Sequence, residues 1–285
     1  MKKIITADGS LTLFNEEYQE AYHSTKAGAY TESLHKFVKP TKIVELAKEK
    51  NSISILDIGF GLGYNVATAI NEVIRNSPYS KLIIYSLEKD TSILDKLKNI
   101  EPPEELKNIY SKLLNGNFES KKIGKQNFKV YTVKNKNFEI YIIFEDARQT
   151  IRKLYKTNLK FDAVFWDAFS PKVNTELWTV NLFKLVKKLM KPYAILATYS
   201  ASLAVRKGLI EAGFKIGLVE PIGRKSYSTV ASLEGEIRPL TEKEKERLEN
   251  SPYAIAYYDN EELTLYPKKI KEEWEKRLKQ NLNKV

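Results

Sequence analysis

The chain has 285 residues, enough for one large domain or for one domain with a modest appendage. Its 42% hydrophobic and 29% charged residues are an ordinary globular composition, which argues against a disordered chain. No apolar run approaches the roughly 20 residues that cross a bilayer, and no signal-type apolar segment follows the first two lysines. The absence of cysteine excludes disulfides and thiolate metal sites. We therefore expect a cytoplasmic protein without a membrane partner, whose net charge of +11 favours an anionic partner such as nucleic acid.

The first clear elements form a strand–helix–strand unit. The first 40 residues show little periodicity, and residues 41–50 (TKIVELAKEK) then predict a short amphipathic helix. Residues 52–58 (SISILDI) predict a strand, residues 66–75 a helix, and residues 81–87 (KLIIYSL) a second strand. A unit of this kind predicts a parallel sheet.

The remaining elements continue the same alternation of strands and helices. Their predicted bounds are a helix at 104–114, a hairpin of strands 127–133 and 138–144, a strand at 161–166, a helix at 179–190, a strand at 193–199, a helix at 203–211, strands at 214–220 and 228–232, and one or two helices after 241. The fold class expected is α/β, a Rossmann-like twisted sheet, mostly parallel, with helices on both faces. We expect an N-terminal extension (1–50) over the site, a central domain (51–235) with a hairpin insertion near 127–144, and a charged C-terminal extension (236–285).

A glycine-rich loop follows the first predicted strand of the central domain. Asp57 precedes Gly59, Gly61 and Gly63, and the second of the paired strands ends at Glu88. Glycines at this place let the backbone approach a ligand closely, and an acid at the end of the next strand can accept both hydroxyls of a ribose. The spacing is G-x-G-x-G, which is neither the dinucleotide pattern nor a P-loop.

A third acid follows the strand that ends at Phe144. The carboxylate of Asp146, beside Ala147, could accept the adenine amino group, although an acid here is equally typical of a helix N-cap. With the glycine loop and Glu88, this order of groups favours S-adenosylmethionine over a nicotinamide cofactor, because an adenosine ligand without pyrophosphate needs no helix N-terminus aimed at phosphate.

Asp167 begins a second acidic motif, Asp-Ala-Phe-Ser-Pro, directly after the strand FDAVFW. Ligands of open α/β sheets bind at this edge, so Asp167 is the candidate catalytic residue. Its carboxylate can orient a substrate amine, or it can contact the methionine amino group of the cofactor. The residues leave both roles open.

Several segments resemble the methyltransferase half of the MnmC family. They are DGSLTL, Tyr22-His23-Ser24 through Glu32-Ser33, GFGLGYN, WDAFSPKVNTELWTVNLFKLVKKL and LATYSASLAVRKGLIEAGFKI, which together extend from residue 8 to about 232. The family's loop usually reads GFGTGLN, so Leu62 and Tyr64 are departures that should alter packing. The tail after residue 232 does not match.

The resemblance implies an activity and a set of site residues. The family makes 5-methylaminomethyl-2-thiouridine in tRNA, and its bifunctional members add an FAD-dependent oxidase. Because this chain has no G-x-G-x-x-G and no room for that oxidase, we expect only the final methylation, without FAD or a metal. The substrate is then 5-aminomethyl-(2-thio)uridine in the tRNA anticodon stem-loop, and no obligate protein partner is expected. Cofactor contacts are expected from Tyr22, Glu32, Gly59, Gly61, Gly63, Asn65, Glu88, Asp146, Ala147 and Asp167.

Candidate tRNA contacts are one aromatic and five basic residues. Unstacked bases pack on aromatic side chains and phosphates bind lysine and arginine; the candidates are Phe169, Lys134, Lys136, Arg206, Arg224 and Lys225. Two rival functions are an aminopropyltransferase of the polyamine type, which would need no tRNA, and a catalytically silent RNA-binding relative. The intact glycine loop, Glu88 and Asp167 speak against the silent relative, and the glycine spacing disfavours a nicotinamide-dependent oxidoreductase.

Overall fold

Residues 3–283 are described by a computed structural model, in which twelve strands form two sheets. The first two and last two residues, part of the expected extensions, lie outside the described residues. The strands are β1 Lys3–Ile5, β2 Leu11–Asn15, β3 Glu20–Ala21, β4 Ser52–Ile58, β5 Lys81–Glu88, β6 Asn117–Ile123, β7 Gln126–Lys134, β8 Phe138–Phe144, β9 Phe161–Trp166, β10 Met190–Thr198, β11 Lys215–Val219 and β12 Ser228–Ser232.

Helices cover both faces of the larger sheet. The α-helices are α1 Ala29–Ser33, α2 Ile43–Glu49, α3 Tyr64–Asn76, α4 Ile93–Leu97, α5 Lys107–Leu113, α6 Ala147–Tyr155, α7 Val180–Leu189, α8 Leu203–Glu211, α9 Glu242–Asn250 and α10 Pro267–Leu282. A π-helical turn at Leu34–Val38 and 3₁₀ turns at Glu104–Leu106 and Thr175–Trp178 complete the set. The cores on the two faces hold side chains of α3 and α5 on one side and of α6, α7 and α8 on the other.

The nine-stranded sheet has the order β11-β12-β10-β9-β4-β5-β8-β7-β6. Strands β10, β9, β4, β5 and β8 are parallel, and antiparallel strands flank them on both sides. The chain adds β5 on one side of β4 and later adds β9 on the other side. The direction of winding therefore reverses at β4, and a crevice opens where the strand order reverses, beyond the carboxyl ends of the strands. The expected fold class is confirmed.

The central strands are apolar because both of their faces are covered. Every residue of β9 is buried, and β4 is buried over its last four residues. Such strands read as continuous apolar runs without alternation, which is why the sequence predicted them well. The hairpin of β7 and β8 is also present, with its polar turn after Lys134.

Several parts of the fold were not predicted, among them the short helices α1 and α4 and two sets of strands. The small sheet of β1, β2 and β3 occupies the first 21 residues, where the strands are too short to show a period. Strand β6, at the edge of the large sheet, is mostly exposed, so its sequence lacks an apolar pattern. The proposed division into extensions and a central domain stays a prediction. No helix among residues 3–283 is long and apolar enough to cross a membrane.

Candidate active site

A cavity of about 640 Å³ opens at the carboxyl edge of β4, β5, β8 and β9. Its volume is in the usual range for a small-molecule site. The loops after these strands form its walls together with the segment around β3. The predicted residues on its wall are Tyr22, Glu32, Gly59, Gly61, Glu88, Asp146, Ala147, Asp167, Phe169 and Arg224. Gly63 and Asn65 do not line it.

The glycine loop is held in a backbone conformation that other residues rarely adopt. Gly59, Gly61 and Gly63 have φ angles of 93°, 51° and 76°. A Cβ atom built on Gly59 falls 2.6 Å from the carbonyl oxygen of Asp167, so the two loops pack too closely for a side chain. Gly63 is the N-cap of α3. Gly59 therefore sets the contact between loops, whereas Gly63 starts the helix.

The carboxylate of Glu88 is fixed by backbone amides. It accepts hydrogen bonds from Gly61 N at 2.9 Å and from the amides of Lys89 and Asp90, each at 2.8 Å. Burial raises the pKa of Glu88, and the three amide hydrogen bonds oppose that rise. A carboxylate has about four acceptor positions, so Glu88 keeps capacity for a ribose hydroxyl while its orientation is set by the loop.

Asp57 lies beneath the glycine loop and is completely buried. Its Oδ2 accepts a hydrogen bond from Ser86, whereas its Oδ1 has no partner among the described residues. Burial raises the pKa of Asp57 well above its usual value, and the nearby charges of Asp167 and Glu88 add to the rise. Asp57 is absent from the cavity wall, so its place in the motif is a supporting one.

Asp167 stands at the junction of the two central loops. Its amide donates to Ile58 O at 2.9 Å, and its Oδ2 accepts from Asn65 Nδ2 at 2.7 Å. Burial raises the pKa of Asp167 to about 7, the charge of Glu32 contributes in the same direction, and the Asn65 hydrogen bond opposes it. Asn65 thus lies behind Asp167 and holds it, instead of lining the cavity as a cofactor contact.

The N-terminal segment closes one side of the cavity through contacts with the loop after β9. Glu20 accepts hydrogen bonds from the amide of Ser170 at 3.0 Å and from its hydroxyl. The ring of Tyr18 stacks on Phe169 at 4.4 Å, and that of Tyr22 lies 5.4 Å from Phe169. Glu20 and Tyr18 were missed by the sequence analysis. They follow no periodic pattern, and their partners are about 150 residues away.

Glu32 organises the inner end of this segment. It accepts from Ser24 N at 2.7 Å and pairs with the buried Lys36, while His23 Nδ1 lies 3.9 Å away. Burial by itself raises the pKa of Glu32, but the charge and hydrogen bond of Lys36 bring it below its usual value. Burial lowers the pKa of His23 to about 4. At neutral pH, Glu32 is therefore ionised and His23 is neutral.

Asp146 is a helix N-cap that also lies at the cavity wall, and its contact with adenine stays a prediction. It is the N-cap of α6 and accepts from Arg148 N at 2.8 Å, and it also lines the cavity beside Ala147. Its Oδ2 lies 3.4 Å from the Arg148 guanidinium. The cap fixes the carboxylate at the cavity wall, so capping and ligand contact are compatible here.

The cavity is acidic although the whole chain is basic. Four cations line it, Lys26, Lys36, Lys89 and Arg224, against nine carboxylates, Glu17, Glu20, Glu32, Glu88, Asp90, Glu145, Asp146, Asp167 and Glu176. Asp90, Glu145 and Asp146 pair with Lys96, Lys153 and Arg148, which do not line the cavity. The acids that remain are still in excess, and this excess favours ligands that carry positive charge. Within residues 3–283 no cluster of acidic or histidine side chains is arranged to hold a metal ion.

The candidate tRNA contacts are divided by the structure. Phe169 and Arg224 line the cavity, and Lys225 is exposed next to Arg224. A tRNA contact at Arg206 is wrong, because this side chain is 1% exposed, pairs with Glu244 and donates to Thr229 Oγ1 at 3.0 Å. A basic residue on the exposed face of a helix and one buried beneath a second helix look alike in sequence.

Lys134 and Lys136 lie at the wrong end of the sheet for a contact near the cavity. Lys134 pairs in register with Glu139 near the start of β8, and Lys136 is in the following turn. The cavity begins beyond the other end of β8. The prediction of tRNA contacts at these lysines rested on the basic run in the hairpin and did not include strand direction.

Comparisons with known proteins agree with this geometry. A family described as S-adenosyl-L-methionine-dependent methyltransferase matches residues 104–234. The crystal structure of MnmC2 from Aquifex aeolicus superposes with a TM-score of 0.86 and 37% sequence identity, covering 98% of this chain and 85% of that chain. The protein MJ0670 of Methanocaldococcus jannaschii is 32% identical, over 98% of this chain and 74% of its own length.

Longer relatives also match. The tRNA 5-methylaminomethyl-2-thiouridine biosynthesis bifunctional protein MnmC of Burkholderia thailandensis is 30% identical over 240 residues, which is 80% of this chain. The chain spans about a third of the length of such bifunctional relatives, 34% in this case.

Proposed function

The chain belongs to the MnmC family of S-adenosyl-L-methionine-dependent methyltransferases, and from this membership we propose that it methylates the exocyclic amine of 5-aminomethyl-(2-thio)uridine at the tRNA wobble position. The product is 5-methylaminomethyl-(2-thio)uridine, the nucleoside in the name of the bifunctional relatives. The observation that carries the proposal is Asp167, an acid fixed at the wall of an acidic cavity between the glycine loop and Asn65. The family membership gives no support to aminopropyl transfer or to a silent RNA-binding role.

The residues at the cavity fit S-adenosylmethionine. The absence of side chains at Gly59 and Gly61 leaves backbone on the wall, and Glu88 has acceptor capacity for ribose hydroxyls. Asp146 and Ala147 lie where the third parallel strand ends, which suits the adenine edge. Carboxylates on the wall complement the positive charges of the sulfonium and the amino group.

Asp167 orients the amine in this proposal. Bound S-adenosylmethionine supplies a methyl group on a good leaving group, so the protein's task is mainly alignment. Because Asn65 holds Oδ2, Oδ1 is the acceptor left for an amine N–H. The carboxylate can do this above its pKa of about 7, where less of the amine is protonated as well. The alternative role for Oδ1, a contact with the methionine amino group, uses the same geometry.

The base enters beside an aromatic wall. Phe169, Tyr18 and Tyr22 pack together at the cavity, and an anticodon base must leave its stack to reach the methyl group. Aromatic rings suit a nucleobase face, whereas the acidic wall suits the aminomethyl substituent. Phe169 is the candidate base contact.

The test is methyl transfer from labelled S-adenosylmethionine to three acceptors. They are tRNA carrying 5-aminomethyluridine, the same tRNA unmodified, and putrescine, which is also offered with decarboxylated cofactor. We expect label only in the aminomethylated tRNA, at the wobble nucleoside after digestion. Absence of label in every tRNA, with normal cofactor binding, would contradict the proposed substrate. The Asp167→Asn variant separates the two roles: loss of single-turnover rate at normal cofactor affinity supports amine orientation.

A further inference from the structure

The acidic cavity poses an electrostatic problem for a polyanionic substrate. Its wall carries nine carboxylates, which repel phosphate groups, so a nucleotide can place its base inside but must leave its phosphates outside. A binding surface for those phosphates is therefore needed at the entrance. The need for such a surface rests on the proposed function, since it requires an RNA substrate.

Four exposed lysines lie on four loops that reach the cavity. Lys26 and Lys89 are exposed and line the cavity. Lys172 is exposed between the lining residues Ser170 and Asn174, and Lys225 is exposed next to the lining residue Arg224. We call these four residues the rim lysines.

The four loops are joined to one another. A Cβ atom on Gly223 would lie 2.7 Å from Cβ of Ala27, so the loops of Lys225 and Lys26 touch. Glu20 binds Ser170, which joins the N-terminal segment to the loop of Lys172. Lys96 donates to Tyr22 Oη at 3.2 Å, which joins that segment to the chain after Lys89. The loops that carry the rim lysines are therefore joined to one another at the cavity.

The charges of the rim lysines are available for a ligand. None of the four takes part in an ion pair within residues 3–283. Many other surface lysines are paired, such as Lys98 with Asp95 and Lys245 with Glu242. An exposed ammonium group without a carboxylate partner breaks no ion pair within the protein when it binds a phosphate.

We propose that the rim lysines Lys26, Lys89, Lys172 and Lys225 bind the phosphates that flank the methylated nucleotide, while the acidic cavity admits only its base. Exposed Glu16 and Glu17, in the turn between β2 and β3, interrupt the rim at one point. The RNA backbone therefore passes over the other loops.

The experiment compares two fourfold variants with the same change in net charge. One replaces the rim lysines by glutamine. The other replaces exposed lysines beside the amino ends of β4, β9, β10 and β11, at the opposite edge of the sheet and without ion pairs among the described residues: Lys48, Lys156, Lys188 and Lys215. Binding of the unmodified anticodon stem-loop is measured as a function of salt, and the thermal midpoint and cofactor affinity of each variant check its fold.

For the rim variant we expect weaker RNA binding by about tenfold or more at low salt, and a flatter salt dependence. The slope of log K against log salt should fall by about 0.7 for each phosphate that the variant no longer neutralises, whereas the control variant keeps the wild-type slope. Equal effects in both variants, or an unchanged slope in the rim variant, would overturn the rim proposal while leaving the proposed methylation intact. If the wild-type protein shows no salt-dependent binding of tRNA that carries 5-aminomethyluridine, the proposed function fails together with the rim.

Discussion

At the scale of single residues, the geometry of the site depends on positions whose side chains, or lack of one, fit closely against a neighbouring loop. Gly59 touches the backbone of Asp167, and Asn65 holds the Asp167 carboxylate from behind. Neither contact is replaceable by a larger or an apolar side chain without moving a loop. These residues therefore set the geometry of the cavity, although Asn65 does not line it.

Gly59→Ala should lose cofactor binding by at least tenfold. The residue has a φ of 93°, and the added Cβ would lie 2.6 Å from a backbone oxygen, so the two loops must separate. Gly9→Ala is the matched control, because Gly9 has a φ of 79° but nothing within 4 Å of the new atom. Backbone strain alone costs about 1–3 kcal/mol in either variant. Equal cofactor affinities for the two variants, measured by calorimetry, would contradict the close-contact explanation.

The methyl-transfer rate should rise with pH through about 7 and lose this inflection in Asp167→Asn. Burial raises the pKa of Asp167 to about 7, so the carboxylate that accepts the amine N–H forms above that pH. Single-turnover rates of both proteins across pH 5.5 to 9 provide the measurement. If the variant keeps the same inflection, another group, such as the amine itself, controls it.

The raised pKa of Asp167 also makes the folded state less stable as pH rises. Between the unperturbed pKa of 3.8 and about 7, the folded state binds the proton more tightly than the unfolded state, so the contribution of Asp167 to stability falls as pH rises. Urea unfolding of the ligand-free protein at pH 5 and pH 8 should show a smaller decrease in Asp167→Asn than in the wild type. An equal decrease in the two proteins would show that other groups account for it.

At the scale of elements, the C-terminal segment is attached to the central sheet by a buried ion pair. Arg206 on α8 is 1% exposed and pairs with Glu244 on α9, and it also donates to Tyr227 O at 3.0 Å. The pair replaces the hydration that both charges lose. Arg206 therefore has a structural role, because its guanidinium is buried and already paired within the protein.

Glu244→Gln should destabilise the protein by about 3 kcal/mol, because it leaves the buried Arg206 charge without its partner. Glu242→Gln, in the same helix, removes an exposed pair with Lys245 and should cost about 0–1 kcal/mol. Denaturant unfolding of the two variants measures both values. Similar losses of unfolding free energy in the two variants would mean that the buried ion pair of Arg206 stabilises the protein no more than an exposed pair does.

The N-terminal segment is the second element whose attachment matters. Glu20→Ala removes both hydrogen bonds to Ser170, so the cavity wall should loosen and cofactor affinity should fall by about tenfold, since a charge-assisted hydrogen bond contributes about 1.5–3 kcal/mol. Glu16→Ala, at an exposed position in the same segment, is the control. A loss of global stability as large as the loss of affinity would indicate a general folding role.

At the scale of the whole molecule, charge is distributed unevenly. The chain has a net charge of +11, yet the cavity has more carboxylates than cations. A basic surface attracts polyanions at long range, whereas an excess of acid in a cavity favours positively charged or neutral ligands. Composition predicted the first property, and strand direction determines which lysines lie near the entrance.

Lys134→Gln combined with Lys136→Gln should leave tRNA affinity within about twofold of the wild type. These lysines are near the amino end of β8, whereas the cavity lies beyond the carboxyl end. An anticodon loop bound at the cavity therefore does not reach them. Binding at several salt concentrations, with the modified substrate, measures the effect. A clearly flatter salt dependence would extend the RNA-binding surface to the β7–β8 turn.

The features of this protein that depend on a short stretch of chain were predicted from its sequence. The glycine loop, Glu88, Asp146 and Asp167 were predicted because each follows an apolar strand directly, and parallel strands end at the same edge. The order of strands and helices was predicted because the apolar run of a buried strand and the periodic pattern of a helix are each contained within one element.

Tertiary structure alone decided what depends on residues that are distant along the chain. Glu20 meets Ser170 across 150 residues, and Arg206 meets Glu244 across 38 residues. No periodic pattern records such contacts, since burial and charge pairing arise only when the elements pack. For that reason the sequence by itself determined the fold class and the central acids, whereas packing decided that Arg206 is buried, that Lys134 is remote from the cavity, and that the loops carrying Lys26, Lys89, Lys172 and Lys225 reach it.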